Sequence, residues 1–410
     1  MQKTIQWLAV LSLPLAGLAD AEQGRYKLSF GNDQARPGWI QMSPTNQYSV
    51  ESGFGFENPV HLTGGKDFIS GDQPFSFSAG LREGNYSVAV TLGGTASSEL
   101  TIKAEARRLM LERVTIAPGG TVTRTFTVNV RRPEFASSGR VKLKKRELET
   151  EMITWDDKLT LEFLGNHPAL RALEITPTNV PTIFLTGDST VCDQPREPWN
   201  SWGQMLPRFF GSGIAVANYA QSGESIKSSL GAKRFDKVFS VMKTNDWLLV
   251  QFGHNDMKDK ATNALATYKS NLKKIVQQAR ERGATPVLVT SMERKAGVER
   301  DTLAGYPQTV RDVSKEDGVA LIDLHATSKV FYRALGPNLD KAFQDGTHHN
   351  NYGSYELARC VVEGIRQNVP ALAKFLAADV EIFDPAHPDA SDRFAMPASP
   401  AVDSNKPDGD

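Results

Sequence analysis

The pattern of apolar residues changes near residue 177, and this change constrains the fold more than any other feature of the chain. Before it, apolar and polar residues alternate in short stretches, as in half-buried strands, at residues 86–92, 100–106, 121–128 and 158–163. Glycine and proline turn signals separate these stretches. Short strands at this spacing predict a β-sandwich over residues 22–177.

Beyond residues 176–181 the apolar stretches alternate with helical ones. We predict strands at residues 182–185, 214–217, 247–252, 286–290 and 319–324, and amphipathic helices at residues 268–282 and 352–367. This alternation predicts an α/β domain over residues 178–378, with a parallel sheet and helices on both faces. The tail, residues 379–410, is rich in Pro, Asp, Ala and Ser, and we expect disorder from about Pro397.

The first 21 residues are typical of a secretory signal peptide. Lys3 precedes an apolar stretch over residues 5–19, and Ala19-Asp20-Ala21 has the small-x-small pattern of a cleavage site. We therefore expect a secreted or periplasmic protein with no membrane anchor in its mature form. The alternative is a single anchoring helix, for which the stretch is short and which Pro14 disfavours. The chain has 47 basic and 47 acidic residues and no basic cluster, so nothing predicts a nucleic-acid partner. The oligomeric state stays open.

Four short polar segments contain the residue types that ester hydrolysis by a serine requires. Three follow predicted strands closely and the fourth precedes the last helix: Gly187-Asp188-Ser189, Ser222-Gly223-Glu224-Ser225, Gly253-His254-Asn255-Asp256 and Asp345-Gly346-Thr347-His348. Ligands of parallel α/β sheets bind beyond the carboxyl ends of the strands. The segments are therefore expected to form one site at that edge.

Ser189 is the candidate nucleophile, and a serine needs an adjacent base for that role. His348 is a candidate base, and Asp345, three residues earlier, can accept a hydrogen bond that orients the imidazole. The adjacent His349 is an alternative, either as the base, as a substrate contact or as a surface residue. Taken alone, Ser189 has a commoner interpretation as a serine that caps the following helix.

Three groups are candidate donors to the oxyanion of a tetrahedral intermediate. They are the backbone N–H groups of Ser189 and Gly223 and the side chain of Asn255. A turn glycine and an Asx turn or helix cap are the simpler interpretations of Gly223 and Asn255. His254 is a tentative substrate contact or a support for Asn255. Trp199 is a tentative sugar-stacking surface, although such tryptophans more often close a core.

Neither a metal nor another cofactor is predicted. Asp345, His348 and His349 are metal-ligand types, but nothing completes a zinc pattern. The cysteines, Cys192 and Cys360, have two interpretations that the sequence leaves open: a disulfide formed in an oxidising compartment, or two buried thiols.

The four segments resemble the conserved blocks of the SGNH (GDSL-type) hydrolase superfamily, whose serine, glycine, asparagine and histidine match Ser189, Gly223, Asn255 and His348. Asp345 matches the triad aspartate. The amino-acid sequence at residues 186–191, 218–225, 251–256 and 345–348 is similar to that of bacterial rhamnogalacturonan acetylesterases of carbohydrate esterase family 12. The resemblance covers about residues 180–375. Its Asp-x-x-His spacing favours His348 over His349.

This resemblance implies a three-layer flavodoxin-like fold and metal-independent deacetylation of a pectic polysaccharide. The N-terminal region resembles the galactose-binding-like sandwich that accompanies some members. We therefore expect an exported serine esterase that acts on acetylated polysaccharide or oligosaccharide, most specifically rhamnogalacturonan. The alternatives are another SGNH esterase (a xylan acetylesterase, lipase or thioesterase) or a carbohydrate-binding protein with an inactive hydrolase domain.

Overall fold

The computed structural model describes residues 24–33, 36–57, 61–135, 139–403 and 405–407. The predicted signal peptide, residues 1–21, lies outside the described residues. Among the helices described below, none combines the length and apolarity that a bilayer span requires.

The N-terminal region is built from short strands that pair into two main sheets. Their bounds are β1 (Tyr26–Phe30), β2 (Ile40–Met42), β3 (Phe54–Glu57), β4 (Leu62–Gly64), β5 (Ile69–Gly71), β6 (Phe75–Gly80), β7 (Gly84–Leu92), β8 (Ser98–Ala104), β9 (Arg108–Ile116), β10 (Val122–Val130), β11 (Glu134–Phe135), β12 (Gly139–Arg140), β13 (Lys158–Asn166) and β14 (Ala169–Pro177). One sheet has the order β10-β7-β14-β1-β2, with β5 on β14 and β4 on β5, and the other has the order β3-β6-β13-β8-β9. The pairings are antiparallel except for β1 with β2.

Aromatic and aliphatic side chains fill the space between these sheets. Phe30 on β1 meets Phe77 on β6 with ring centroids 5.5 Å apart, and Phe77 meets Phe56 on β3 at 5.3 Å, both edge-to-face. The alternating strands bury their apolar face in this cluster, with Val88 and Val90 from one sheet and Ile102 and Leu161 from the other. The predicted β-sandwich is confirmed.

The rest of the chain alternates strands with helices. The strands are β15 (Thr182–Gly187), β16 (Ala215–Asn218), β17 (Trp247–Gln251), β18 (Thr285–Val289) and β19 (Ala320–Ile322). The first helix of the chain, α1 (Lys145–Glu149), lies between β12 and β13 of the N-terminal region. The helices of the α/β domain are α2 (Trp202–Met205), α3 (Ile226–Gly231), α4 (Arg234–Val241), α5 (Ala264–Glu281), α6 (Tyr306–Asp317), α7 (Leu324–Leu335), α8 (Asn351–Asn368) and α9 (Pro370–Ala373). Short 3-10 turns occupy Met152–Thr154, Leu206–Phe209, Asp256–Lys258, Lys295–Val298 and Gly336–Ala342.

These strands form a parallel sheet in the order β16-β15-β17-β18-β19, which is the flavodoxin-like order. Apolar side chains of β17 alternate between its faces: Leu249 packs with α8, while Leu248 packs with α5. The predicted three-layer α/β class is confirmed. Strand β19 ends two residues before the predicted 324, because the Asp323 side chain accepts a hydrogen bond from the Ala326 backbone N–H and caps α7.

The tail differs from our expectation of disorder beginning at about Pro397. Pro397 and Ser399 accept hydrogen bonds from Lys103 of β8, at 3.2 and 3.1 Å. The backbone of Glu197 pairs with residues 401 and 403. Polar partners in both domains therefore hold residues 397–403, whereas a composition argument considers only how much apolar surface a segment can bury.

Candidate active site

Ser189 stands at the carboxyl end of β15, where the chain turns away from the sheet. A Cβ atom at Gly187 would lie 2.6 Å from the Val191 side chain and 2.7 Å from the Gln251 carbonyl oxygen, so the close approach of β15 to β17 requires glycine. Asp188 accepts hydrogen bonds from the Thr190 backbone N–H and hydroxyl at 2.9 and 2.7 Å. The turn is thereby fixed directly beside the candidate nucleophile.

A chain of two hydrogen bonds joins Ser189, His348 and Asp345. His348 Nε2 lies 2.8 Å from Ser189 Oγ, and His348 Nδ1 lies 2.8 Å from Asp345 Oδ2. Asp345 Oδ1 accepts the backbone N–H groups of Thr347 and His348 at 2.7 and 2.6 Å. The three-residue spacing lets one carboxylate orient both the loop and the ring.

Asp345 is ionised in this arrangement. Burial opposes its ionisation, but the hydrogen bond and charge of His348, together with the two backbone N–H groups, outweigh burial and hold the pKa of Asp345 well below its usual range. Because the carboxylate is charged, it is an acceptor for the proton on His348 Nδ1. When the imidazole is neutral and carries this proton on Nδ1, Nε2 can accept the hydroxyl proton of Ser189.

The predicted oxyanion donors lie in the two neighbouring loops. Gly223 has a φ of +74°, which favours glycine. Among the described residues, neither the Ser189 nor the Gly223 backbone N–H has a hydrogen-bond acceptor. Asn255 Nδ2 donates one hydrogen to the Glu224 carbonyl oxygen at 3.1 Å, which fixes the amide and leaves its second hydrogen for another acceptor.

His254 and His349, which we named as tentative substrate contacts, are internal. His254 is 1% exposed, and both ring nitrogens meet acceptors: Asp188 Oδ2 at 3.2 Å and the Met292 carbonyl at 3.0 Å. His349 is 2% exposed, lies 3.0 Å from the Tyr332 hydroxyl and packs on the Phe343 ring. Burial lowers the pKa of His349 to about 3, and the neighbouring His348 adds to this shift. Both residues are therefore corrected from substrate contacts to supports of the loops around Ser189.

Trp199 also lacks an open face for a sugar. It is 8% exposed, its indole N–H donates to the Asp403 carbonyl at 3.1 Å, and its ring meets the His348 ring edge-on at 5.8 Å. The prediction of a sugar-stacking surface is therefore corrected, because the buried Trp199 ring packs against His348 and supports it.

The cysteines are free thiols. Cys192 Sγ lies 3.2 Å from Ser222 Oγ, and burial raises the pKa of its thiol to about 12. Cys360 is buried in α8, where desolvation likewise raises its pKa. The alternative of two buried thiols is the one that the structure contains.

Arg294 is a site residue that we did not predict. Its guanidinium donates to the His254 carbonyl at 3.2 Å and to Thr347 Oγ1 at 3.3 Å, and so joins the loop of Asn255 to the loop of His348. It is partly exposed, and among the described residues its guanidinium forms no ion pair. Its place shortly beyond the carboxyl end of β18 was the signal available in the sequence.

Metal-ligand side chains also meet elsewhere, at Glu293, Asp301 and His325. Glu293 already accepts hydrogen bonds from Thr302 and from His325 Nε2, and Lys329 pairs with Asp301. Protein donors therefore already satisfy this cluster, which gives no reason to add a metal to the chemistry of Ser189.

Comparison with known proteins adds three similarities. The model of the GDSL-like Lipase/Acylhydrolase family matches residues 185–354, the range that contains the four motif segments. Rhamnogalacturonan acetylesterase RhgT of Bacillus subtilis (strain 168) is 36% identical over 207 residues, covering 45% of this chain and 89% of RhgT. The uncharacterized esterase YxiM of the same organism is 25% identical over 397 residues, or 88% of this chain and 98% of YxiM.

Among solved structures, the crystal structure of YxiM from Bacillus subtilis aligns with a TM-score of 0.46 at 23% identity. The alignment covers 84% of this chain and 98% of that chain.

Proposed function

The chain belongs to the GDSL-like lipase/acylhydrolase (SGNH) family and is a carboxylic ester hydrolase; from this premise we propose that it is an exported serine esterase that removes O-acetyl groups from plant cell-wall polysaccharide, with rhamnogalacturonan as its substrate. The observation that carries the proposal is the hydrogen-bonded chain Asp345–His348–Ser189, with 2.8 Å at each step between side chains. It stands at the edge of the sheet where α/β folds bind ligands.

In the first half of the reaction, Ser189 Oγ attacks the acetyl carbonyl carbon while His348 Nε2 takes the hydroxyl proton. The carbonyl oxygen becomes an oxyanion, which the backbone N–H groups of Ser189 and Gly223 and the amide of Asn255 stabilise. Asp345 stabilises the imidazolium without taking its proton. The C–O bond to the sugar then breaks, His348 protonates the departing sugar oxygen, and an acetyl-enzyme remains.

In the second half, water attacks the acetyl-enzyme and gives a proton to His348. The second tetrahedral intermediate uses the same donors. Ser189 Oγ leaves with the proton from His348, and acetate departs. The balance is one ester and one water converted into one alcohol, one acetate and one proton, with no cofactor.

Two observations support an acidic sugar polymer as substrate. RhgT, at 36% identity, is named a rhamnogalacturonan acetylesterase. The guanidinium of Arg294, at the edge of the site, has only neutral partners among the described residues: His254, Met257, Thr302 and Thr347. A partly exposed guanidinium without a counter-ion suits a polymer that carries uronate carboxylates.

Acetate release from acetylated rhamnogalacturonan, xylan and mannan fractions tests the substrate. We expect the highest kcat/KM on rhamnogalacturonan. Higher kcat/KM on xylan would transfer the proposal to a xylan acetylesterase. Faster turnover of octanoyl than of acetyl esters would exclude a sugar acetylesterase and favour a lipase.

Ser189→Ala tests the nucleophile. We expect kcat to fall by about four to six orders of magnitude, because the attacking oxygen is lost while folding is retained. Ser240→Ala, on the exposed face of α4, is the matched control and should leave kcat unchanged. Full acetate release by Ser189→Ala would overturn the mechanism.

Export is part of the proposal and has its own test. The full chain, expressed in a bacterial host, should be recovered outside the cytoplasm with a mature N-terminus at Glu22. Recovery in the cytoplasm with an intact N-terminus would remove export from the proposal.

A further inference from the structure

A tight turn of the sandwich, residues 104–108 between β8 and β9, reaches into the α/β domain. Glu105 and Arg107 in this turn have φ values of +57° and +63°, a left-handed conformation that is unfavourable for residues other than glycine. Backbone strain of this kind persists only where surrounding contacts enforce it, and it often accompanies functional sites. Contacts with the α/β domain must therefore enforce the conformation of this turn.

Arg107 is the residue that the turn projects, and it is 2% exposed. Its Nη1 donates to the Gln194 and Trp199 carbonyl oxygens at 3.0 and 2.9 Å. Its Nη2 lies 2.6 Å from Glu197 Oε1 and 3.3 Å from Asn351 Oδ1. One planar guanidinium thus fixes both ends of the segment 194–199.

The segment 194–199 contacts both partners of the proposed Ser189–His348 pair. Gln194 Nε2 donates to the Ser189 carbonyl oxygen at 2.8 Å. The Trp199 ring lies edge-on against the His348 ring, 5.8 Å between centroids. Arg107 therefore holds the backbone of one residue that touches Ser189 and of one residue that touches His348.

Neighbours of Arg107 strengthen the same connection. Arg108 Nε lies 2.9 Å from Asp193 Oδ2, and Gln204 Nε2 donates to the Ala106 carbonyl oxygen at 2.5 Å. Lys103 shares Glu197 with Arg107, at 3.3 Å. Buried ion pairs are weak evidence for stability, because desolvation offsets their attraction, but their geometry is strict.

We propose that Arg107 is a positioning residue of the esterase, and that the sandwich completes the active site rather than serving as a separate carbohydrate-binding module. The proposal rests on the proposed roles of Ser189 and His348. The sandwich acts through Arg107 and the segment 194–199, which set the distance between the serine hydroxyl and the imidazole.

Arg107→Gln in the full chain is the direct test. We expect kcat for 4-nitrophenyl acetate to fall about 10- to 100-fold with KM within about threefold, since a misplacement of about 1 Å can reduce rates about 100-fold. Glu112→Gln is the matched control at the same domain contact, where Glu112 pairs with Arg208 at 3.0 Å and Tyr355 at 2.7 Å. Its kcat should stay within twofold of the wild type.

A second measurement separates positioning from folding. The rate at which diethyl 4-nitrophenyl phosphate phosphorylates Ser189 should fall in Arg107→Gln by about the same factor as kcat, while denaturant unfolding shows a folded protein. Arg107→Lys keeps the charge without the planar fork and should recover only part of kcat. If Arg107→Gln does not fold, a folded Arg107→Lys with wild-type kcat overturns the proposal.

The remaining outcomes also discriminate. A folded Arg107→Gln with wild-type kcat and phosphorylation rate overturns the proposal, as does an effect confined to KM on polysaccharide, which indicates a binding module. Ser189→Ala must be inert towards the reagent. If it reacts, the proposed function fails, and that result is independent of Arg107.

Discussion

The sandwich makes two kinds of buried contact, one inside itself and one with the α/β domain. Its interior is apolar, with side chains such as Phe30, Phe77 and Ile102 packed between the sheets. The strand that contributes Ile102 to this interior turns Lys103, its next residue, towards the other domain, where Lys103 and Arg107 meet Glu197. The same strand therefore serves a hydrophobic contact on one face and an ionic one on the other.

This difference shows that the fold of the sandwich and its position against the α/β domain depend on different contacts. Apolar burial is non-directional, so a sandwich tolerates small changes of shape while keeping its fold. Ion pairs with hydrogen-bond geometry fix the relative position of two bodies, and leaving one charge unpaired is far more destabilising than replacing the whole pair. The interior accounts for the folding of the sandwich. The ionic contact, together with Leu109 of β9 in the apolar core of the α/β domain, accounts for where the sandwich sits.

Removing the shared carboxylate should give the largest effect. Glu197→Ala leaves Lys103 and Arg107 buried without a counter-ion, and we expect the free energy of unfolding to fall by about 3–5 kcal/mol. Urea unfolding measures this change. The triple variant Lys103→Met, Arg107→Met, Glu197→Leu should recover most of the stability but not the activity. Recovery of both would mean that apolar packing positions the domains equally well.

Protonation of His349, which is buried inside the α/β domain, should change the free energy of unfolding by an intermediate amount. The pKa of His349 is about 3 in the folded protein and near 6.5 when unfolded. Between these values the unfolded state binds the extra proton, so stability is complete above about pH 6.5 and is lost as pH falls towards 3. The loss from this group is at most about 1.4 kcal/mol per pH unit.

His349→Gln should reduce the loss of stability below about pH 6.5. Thermal or urea unfolding from pH 7 to pH 4 measures the difference between wild type and variant, which should narrow as pH falls. His61→Gln, at an exposed histidine of the sandwich, is the control for the substitution itself. If the free energies of unfolding of wild type and His349→Gln change in parallel with pH, His349 is not the source of the acid sensitivity.

The smallest effect is expected inside the sandwich. Ile102→Val removes one buried methyl group beside Lys103 in sequence but on the opposite face of the strand, and should lower the free energy of unfolding by about 1 kcal/mol. Its kcat per folded enzyme should equal that of the wild type. A decrease in kcat would show that the sandwich interior transmits strain to Ser189, so that the interior and the ionic contact do not act separately.

Local periodicity predicted most of the α/β layer. The stripe Leu272, Ile275, Val276 and Ala279 is buried as expected, because an amphipathic helix records its environment in its own sequence. The predicted strand over residues 100–106 ends at Ala104, and residues 105–106 belong to the strained turn. Their apolar-polar alternation is that of a strand. However, Ala106 accepts a hydrogen bond from Gln204, 98 positions away, and the next residue, Arg107, donates to Gln194 and Trp199.

The positions of the motif residues were predictable, whereas their surroundings were not. Spacing and resemblance selected His348 over His349, and the structure separates the two by their partners, Ser189 and Tyr332. His254, Trp199 and His349 looked like substrate contacts because polar or aromatic residues beside a motif suggest binding. Their burial depends on the Asp188 carboxylate, the tail and the Phe343 ring, which no local pattern reveals.

The thiol of Cys192, buried 3.2 Å from Ser222 Oγ, has a practical consequence. A thiol reagent can reach it only when the segment behind Ser189 detaches from its neighbours, so the labelling rate reports how often that segment opens in the native protein. Cys360, buried in α8, supplies an internal reference for wider unfolding. Comparing the two labelling rates would measure the stability of the serine turn separately from that of the whole domain, without introducing a probe.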